Sequence, residues 1–213
     1  MKVGRIAVAF ALCATLFAEH AIRASLPVAP PALLPVPLVS QARPWSCGAA
    51  ALMAALLYFG VYDDPESTLD AALGVTPEEG TRVDSIVAEA RRYGLQADAH
   101  VGLTLEDLER GLSRGDVVIV ALQAWATSAV TDWRADWEDG HYVVVVGVSR
   151  DRVYVMDPSV RTGYGYLTRD QFVQRWHDYD LDRGKKITFE RLGIVIRGAR
   201  RLARYPAEPT LVQ

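Results

Sequence analysis

Residues 38–197 predict an α+β domain, with helices first and an antiparallel sheet after them. Three observations carry this reading. Between Cys47 and Leu112 the apolar residues recur at helical spacing in segments separated by glycine. From Val117 onward they gather instead into short β-branched runs. Finally, Ser149-Arg150-Asp151 joins two such runs too closely for a crossover, so those runs pair antiparallel.

The first helix is expected over Cys47–Phe59. Its core, Gly48-Ala-Ala-Ala-Leu-Met-Ala-Ala-Leu-Leu57, is rich in helix formers and apolar nearly all round, the mark of a buried helix. Ser46 is placed to cap its start and Gly60 to end it. Further helices are expected over Glu66–Leu73, over Arg82–Tyr93 with Val83, Ile86, Val87 and Ala90 on one face, and over Thr104–Leu112 behind the pair Thr104 and Asp107. A short strand over Gln96–Val101 separates the last two. Strands follow at Val117–Leu122, Tyr142–Val148 and Arg152–Met156, then a helix at Asp170–Trp176, and edge strands at Ile187–Phe189 and Leu192–Ile196.

The 213 residues are enough for one domain, and a 50% hydrophobic, 23% charged composition is that of a globular protein. The start differs from the rest. Lys2 and Arg5 precede an uncharged apolar run, Ile6–Ala18, and small residues at Ala18 and Ala24 offer cleavage points. Residues 1–24 therefore read as a secretory signal peptide, and the protein as periplasmic or secreted. The alternative is an uncleaved N-terminus that anchors the protein to the membrane, facing outward. Five prolines within residues 25–37 make that stretch an extended linker. Residues 198–213 read as a basic, flexible tail. Cleavage after Ala24 changes the net charge from −3 to −5, which gives no electrostatic footprint for nucleic acid. Of the two cysteines, Cys13 lies in the leader, so maturation leaves Cys47 alone and without a disulfide partner.

Three residues carry the chemistry. Cys47 opens the buried helix, where unpaired amides and the helix dipole favour a thiolate. His141 opens a strong strand after Asp139-Gly140, and histidine is the usual base for such a nucleophile. Asp157 ends the next strand. If Val143 pairs with Asp157, His141 and Asp157 lie diagonally on one face, roughly 7–8 Å apart at the backbone; a slip of one residue moves Asp157 to the other face. Gln41, six residues before Cys47, offers an amide donor that joins the Cys47 N–H in an oxyanion hole. Trp45, Trp125, Trp133, Trp137 and Gly140 crowd the same neighbourhood as a candidate substrate cleft, with surface packing as the alternative for the tryptophans. The four histidines are scattered and no Cys/His spacing suits zinc, so no metal or cofactor is expected.

Gln41-Ala-Arg-Pro-Trp-Ser-Cys47-Gly-Ala-Ala, Gly140-His141-Tyr-Val-Val-Val and Asp157-Pro-Ser together resemble the double-glycine leader (bacteriocin-processing) cysteine peptidase family. The likeness covers roughly residues 38–196 and includes Thr76–Thr81 and the helix end at Arg92-Tyr-Gly-Leu. It implies a papain-like cysteine peptidase fold, a Cys47-His141-Asp157 triad, an oxyanion hole at Gln41 and cleavage of a peptide after Gly-Gly. Many members of that family are domains of ATP-driven exporters. This sequence shows no transporter spans and no phosphate-binding Gly-x-x-x-x-Gly-Lys loop, so a stand-alone exported enzyme acting on a peptide or protein substrate is expected. Two rival readings are a cell-wall amidopeptidase and a non-cleaving peptidase-like module that binds a secretion-system partner.

Overall fold

The structure, a computed structural model, describes residues 32–125, 132–182, 184–199, 201 and 210–211. Helix α1 (Cys47–Tyr58) is buried almost all round, as its alanine- and leucine-rich sequence requires. Helices α2 (Glu66–Leu73) and α3 (Val83–Arg92) pack beside it. After β1 (Gln96–His100) comes α4 (Leu105–Arg114), whose start is fixed by a reciprocal capping box between Thr104 and Asp107. The remaining elements are β2 (Val117–Gln123), β3 (Gly140–Val148), β4 (Arg152–Met156), β5 (Gly165–Thr168), α5 (Arg169–Arg175), β6 (His177–Asp182), β7 (Lys185–Glu190), β8 (Gly193–Arg197) and β9 (Thr210–Leu211).

A seven-stranded sheet has the order β1-β8-β2-β3-β4-β5-β9, and β6 and β7 form a separate hairpin. Its pairs are antiparallel except β5 with β9. Helices α1–α3 cover one face, closing a core that includes Leu52, Leu56, Phe59, Ile119 and Val144. On the other face α4 and α5 close a second core around Val120, Val143, Phe172 and Trp176. Full burial of each such large side chain contributes about 1.5–3 kcal/mol.

Several boundaries differ from the sequence reading. Strand β8 is not at an edge; it lies between β1 and β2, because Ile194, Val195 and Ile196 are covered on both faces. Neither β5 nor β6, which His177 opens, was anticipated. The end of the Pro-rich stretch is part of the domain: Leu34 N–H donates to the Val146 carbonyl at 2.7 Å, Val36 is buried, and Tyr164 Oη–H donates to the Val36 carbonyl at 2.6 Å. At the other end Gly198 packs against Phe59 and Leu95, and Thr210–Leu211 pairs with β5, so the 198–213 segment is not wholly a loose tail. The leader (1–24) and residues 25–31 of the linker lie outside the described residues.

One irregularity sets the functional geometry. Near the turn, Val148 pairs with Val153 and Gly147 with Tyr154; beyond it, Val145 pairs with Val155 and Val144 with Met156. Val146 is the extra residue of a β-bulge. Continued past Met156, this ladder sets Asp157 opposite Val143, the register proposed from sequence. Without the bulge Asp157 would fall opposite Val144 and face away from the side occupied by His141.

Gly48, the second residue of α1, touches the Thr81 side chain: a Cβ there would lie 2.5 Å from Thr81 Cβ. Gly48→Ala is therefore expected to destabilise the fold by about 1–3 kcal/mol despite alanine's better helix propensity, as read by denaturant unfolding. Unchanged or raised stability would mean that the helix start is loosely packed.

Candidate active site

The N-terminus of α1 arrives beside the first residues of β3, which brings Cys47 to His141. Ser46 occupies the N-cap position, but its side chain does not cap the helix. Instead Ser46 Oγ–H donates to Glu66 Oε1 at 2.7 Å, while Glu66 Oε2 accepts from the Ala42 N–H at 2.9 Å. The Glu66 carboxylate thus pins both ends of the loop that delivers Cys47, and the first turn of α1 keeps its amides free of any side-chain acceptor. That is an environment suited to a negative charge at Cys47.

His141 is buried, and its Nε2 lies 2.7 Å from Asp157 Oδ1. The same Oδ1 accepts from the Ser159 N–H at 2.8 Å and from Ser159 Oγ–H at 2.7 Å. Asp157-Pro158-Ser159 is therefore a turn that holds its own carboxylate ready. The other ring nitrogen, Nδ1, is buried and, among the described residues, has no hydrogen bond of full geometry, although the Cys47 side chain is close enough to act on the ring. Burial alone would lower the proton affinity of His141; the Asp157 hydrogen bond and then the neighbouring Cys47 thiol outweigh it and push the pKa up to about 10. For Asp157, burial opposes ionisation, but the bonds from His141 and Ser159 prevail and hold the carboxyl below its usual value. With Nε2 committed to the carboxylate, Nδ1 is the ring nitrogen that Asp157 leaves unengaged.

Trp125 lies against this pair, its ring centroid 4.4 Å from that of His141. It adopts a left-handed backbone conformation (φ 52°) that is unusual for a large residue, so the placement carries strain. Trp125 thus covers the His141 ring. Trp45, Trp137 and Gly140 line a cleft of about 240 Å³ beside Cys47. A Cβ on Gly140 would meet Asp178 Oδ2 at 2.5 Å, which is why glycine precedes the histidine. Trp133 does not reach the cleft; its ring lies on the Arg175 guanidinium, 3.6 Å from Cζ to the ring centroid. Residues 126–131 of the tryptophan-rich segment lie outside the described residues.

Gln41 is tied to the same assembly by its backbone, whose N–H donates to the Pro158 carbonyl at 3.0 Å. Its side-chain Nε2 donates to the carbonyls of Arg43 at 2.9 Å and Pro44 at 3.1 Å. Both amide hydrogens are thus engaged within the loop. Sequence reasoning missed Glu66, Ser159 and Gln123. Glu66 reads as an ordinary acidic helix start, and Ser159 was visible only as part of a motif. Gln123, fully buried, accepts from the Asp139 N–H at 3.0 Å and donates to the His177 carbonyl at 3.1 Å, bracing the approach to β3; its position at a strand end gave no signal.

Folding strengthens the hold of His141 on its proton, so this contribution to stability is complete below about pH 6.5 and disappears as the pH rises through about 10. The Asp157 contribution is present above its ordinary range and is lost as the pH falls. Asp157→Asn should move the loss of the His141 proton to lower pH, read as a downfield-to-upfield imidazole NMR transition shifted by more than one unit. An unshifted transition would show that Asp157 does not control the ring.

The sequence model of the Peptidase C39 family matches residues 35–185. Among curated protein sequences none is significantly similar. Solved structures share the fold. A C39-like protein from Bacillus anthracis is 19% identical with a TM-score of 0.57, covering 78% of this chain and 96% of its own. The peptidase domain of Streptococcus ComA, a bifunctional ABC transporter of a quorum-sensing pathway, is 20% identical with a TM-score of 0.53 over 76% and 97% of the two chains. A double-glycine-motif protease from an AMS/PCAT transporter, solved with its leader peptide, is 20% identical with a TM-score of 0.52 over 78% and 94%. The matched residues span more than half of the chain and include Cys47, His141 and Asp157, and on this ground the chain belongs to the Peptidase C39 family of cysteine peptidases.

Proposed function

We propose that this cysteine peptidase hydrolyses peptide bonds through Cys47, His141 and Asp157, and that it acts as an exported enzyme on peptides bearing a Gly-Gly site. The observation that carries the reading is the buried Nδ1 of His141, which among the described residues has no hydrogen bond of full geometry, on a ring held from its other side by Asp157 and acted on by the Cys47 side chain. A polar atom buried without a partner is costly unless the site uses it.

The Cys47 proton passes to Nδ1, giving a thiolate–imidazolium pair. The thiolate attacks the scissile carbonyl carbon, forming a C–S bond and an oxyanion. The Cys47 N–H stabilises that oxyanion, and Gln41 joins it by releasing one of its two loop carbonyls. Collapse breaks the C–N bond, and the leaving amine takes the proton from Nδ1. Water, deprotonated by Nδ1, then cleaves the thioester and restores the thiol. Asp157 stays ionised throughout, fixing the tautomer and orientation of the ring. Export is supported by the charged-then-apolar pattern of residues 1–24 and by the single cysteine beyond it.

Incubation of purified protein with a Gly-Gly leader peptide should yield one cut after the pair by mass spectrometry. Cys47→Ala should abolish turnover, and His141→Ala should lower kcat/KM by about 10²–10⁴-fold. Cleavage that survives Cys47→Ala would sink the assignment.

A further inference from the structure

The cleft beside Cys47 is acidic. Glu78 and Glu79 line it from the loop before Thr81, Glu138 from the segment before β3, and Asp178 and Asp180 from alternate positions of β6. Among the described residues Glu78, Glu79, Asp178 and Asp180 have no ion-pair partner. Of the nearby cations, Lys186 pairs with Glu138 at 3.3 Å and lies over the Tyr179 ring, while Arg82 binds Asp84 and the Leu181 carbonyl and also acts electrostatically on Asp180, whose Oδ2 accepts from the Val83 N–H at 3.0 Å.

Asp178 stands out among these acids. It is 8% exposed, yet it reaches the cleft. Its Oδ1 accepts from the Tyr179 N–H at 2.9 Å and, weakly, from the Gln123 amide at 3.4 Å, while Oδ2 lies against Gly140 without a hydrogen-bond donor. Burial pushes its pKa up to about 7, against the opposing pull of its hydrogen bonds and of the nearby His141 charge. Thr81, only 4% exposed, also lines the cleft, but its side chain packs against Gly48. Asp178 Oδ2 is thus an acceptor awaiting a donor. Guanidinium and ammonium groups bring donors alone and a positive charge, and Trp137 in the lining suits the apolar stem of such a side chain.

We propose that this cleft selects peptides carrying an Arg or Lys side chain beside the scissile bond, with Asp178 as the principal acceptor and Asp180 in support. The inference rests on hydrolysis at Cys47 and adds a specificity that a Gly-Gly site alone does not supply.

The test uses Cys47→Ala protein, which binds without cleaving, titrated calorimetrically with three Gly-Gly peptides that differ only in one flanking residue, Arg, Gln or Glu. The Arg peptide is expected to bind about 10–100-fold more tightly than the Gln peptide, and the Glu peptide more weakly still. Asp178→Asn, and separately Asp180→Asn, should shrink the Arg advantage while circular dichroism stays unchanged. Equal binding of the three peptides, or an Arg advantage indifferent to both substitutions, would overturn the proposal. Wild-type kcat/KM on the same peptides needs no variant and should follow the same order. Arg preference in binding with no cleavage by wild type would refute the hydrolysis reading and keep the basic-peptide site; cleavage without Arg preference would do the reverse.

Discussion

The buried hydrogen bond between His141 and Asp157 is the interaction on which the rest of the site depends. At 2.7 Å and with both side chains almost wholly enclosed, it fixes which ring nitrogen remains for Cys47. Breaking one partner of such a pair costs about 3–5 kcal/mol, because the survivor is left as an uncompensated buried charge. The protein surrounds the bond accordingly. Ser159 supplies two further donors to the carboxylate, Trp125 covers the imidazole, and the Pro158 carbonyl ties the same turn to the loop of Gln41.

That bond exists because of a defect in the sheet. The Val146 bulge restores the alternation that places Asp157 on the His141 side, and its carbonyl receives the Leu34 N–H. The stretch before Leu38 is thereby drawn into the domain as a strap along β3. Glu66 does for Cys47 what the bulge does for Asp157: one carboxylate from α2 anchors the loop at Ala42 and Ser46, just ahead of Cys47. Three separate pieces of chain therefore converge through local backbone devices, with no disulfide to assist them; Cys47 is a free thiol.

Much of this was legible in the sequence because the signals are local. The alanine-rich run of α1, the Thr104–Asp107 capping box and the valine run of β3 each specify an element by its own composition. His141 and Asp157 came together in the register that alternation suggested. What was not legible depends on long-range partners. A bulge is a mismatch between two strands and leaves no mark in a run of four valines. Strand β8 reads as a short late strand, and only its insertion between β1 and β2 makes it central. Asp178 and Asp180 belong to a strand that was not foreseen, so their place in the cleft could not be. Trp133 was grouped with the cleft by proximity in sequence, while its ring lies on Arg175 of α5.

The central claim is that His141 and Cys47 work as one ion pair. Its most direct measurement is the rate of iodoacetamide alkylation of Cys47 at pH 6, well below the ordinary thiol pKa of about 8.5, in wild type, His141→Ala and Asp157→Ala. The account predicts rapid labelling of wild type, with a loss of about tenfold or more in His141→Ala and a smaller loss in Asp157→Ala. Equal, slow labelling of all three proteins would contradict it and leave Cys47 as a structural thiol.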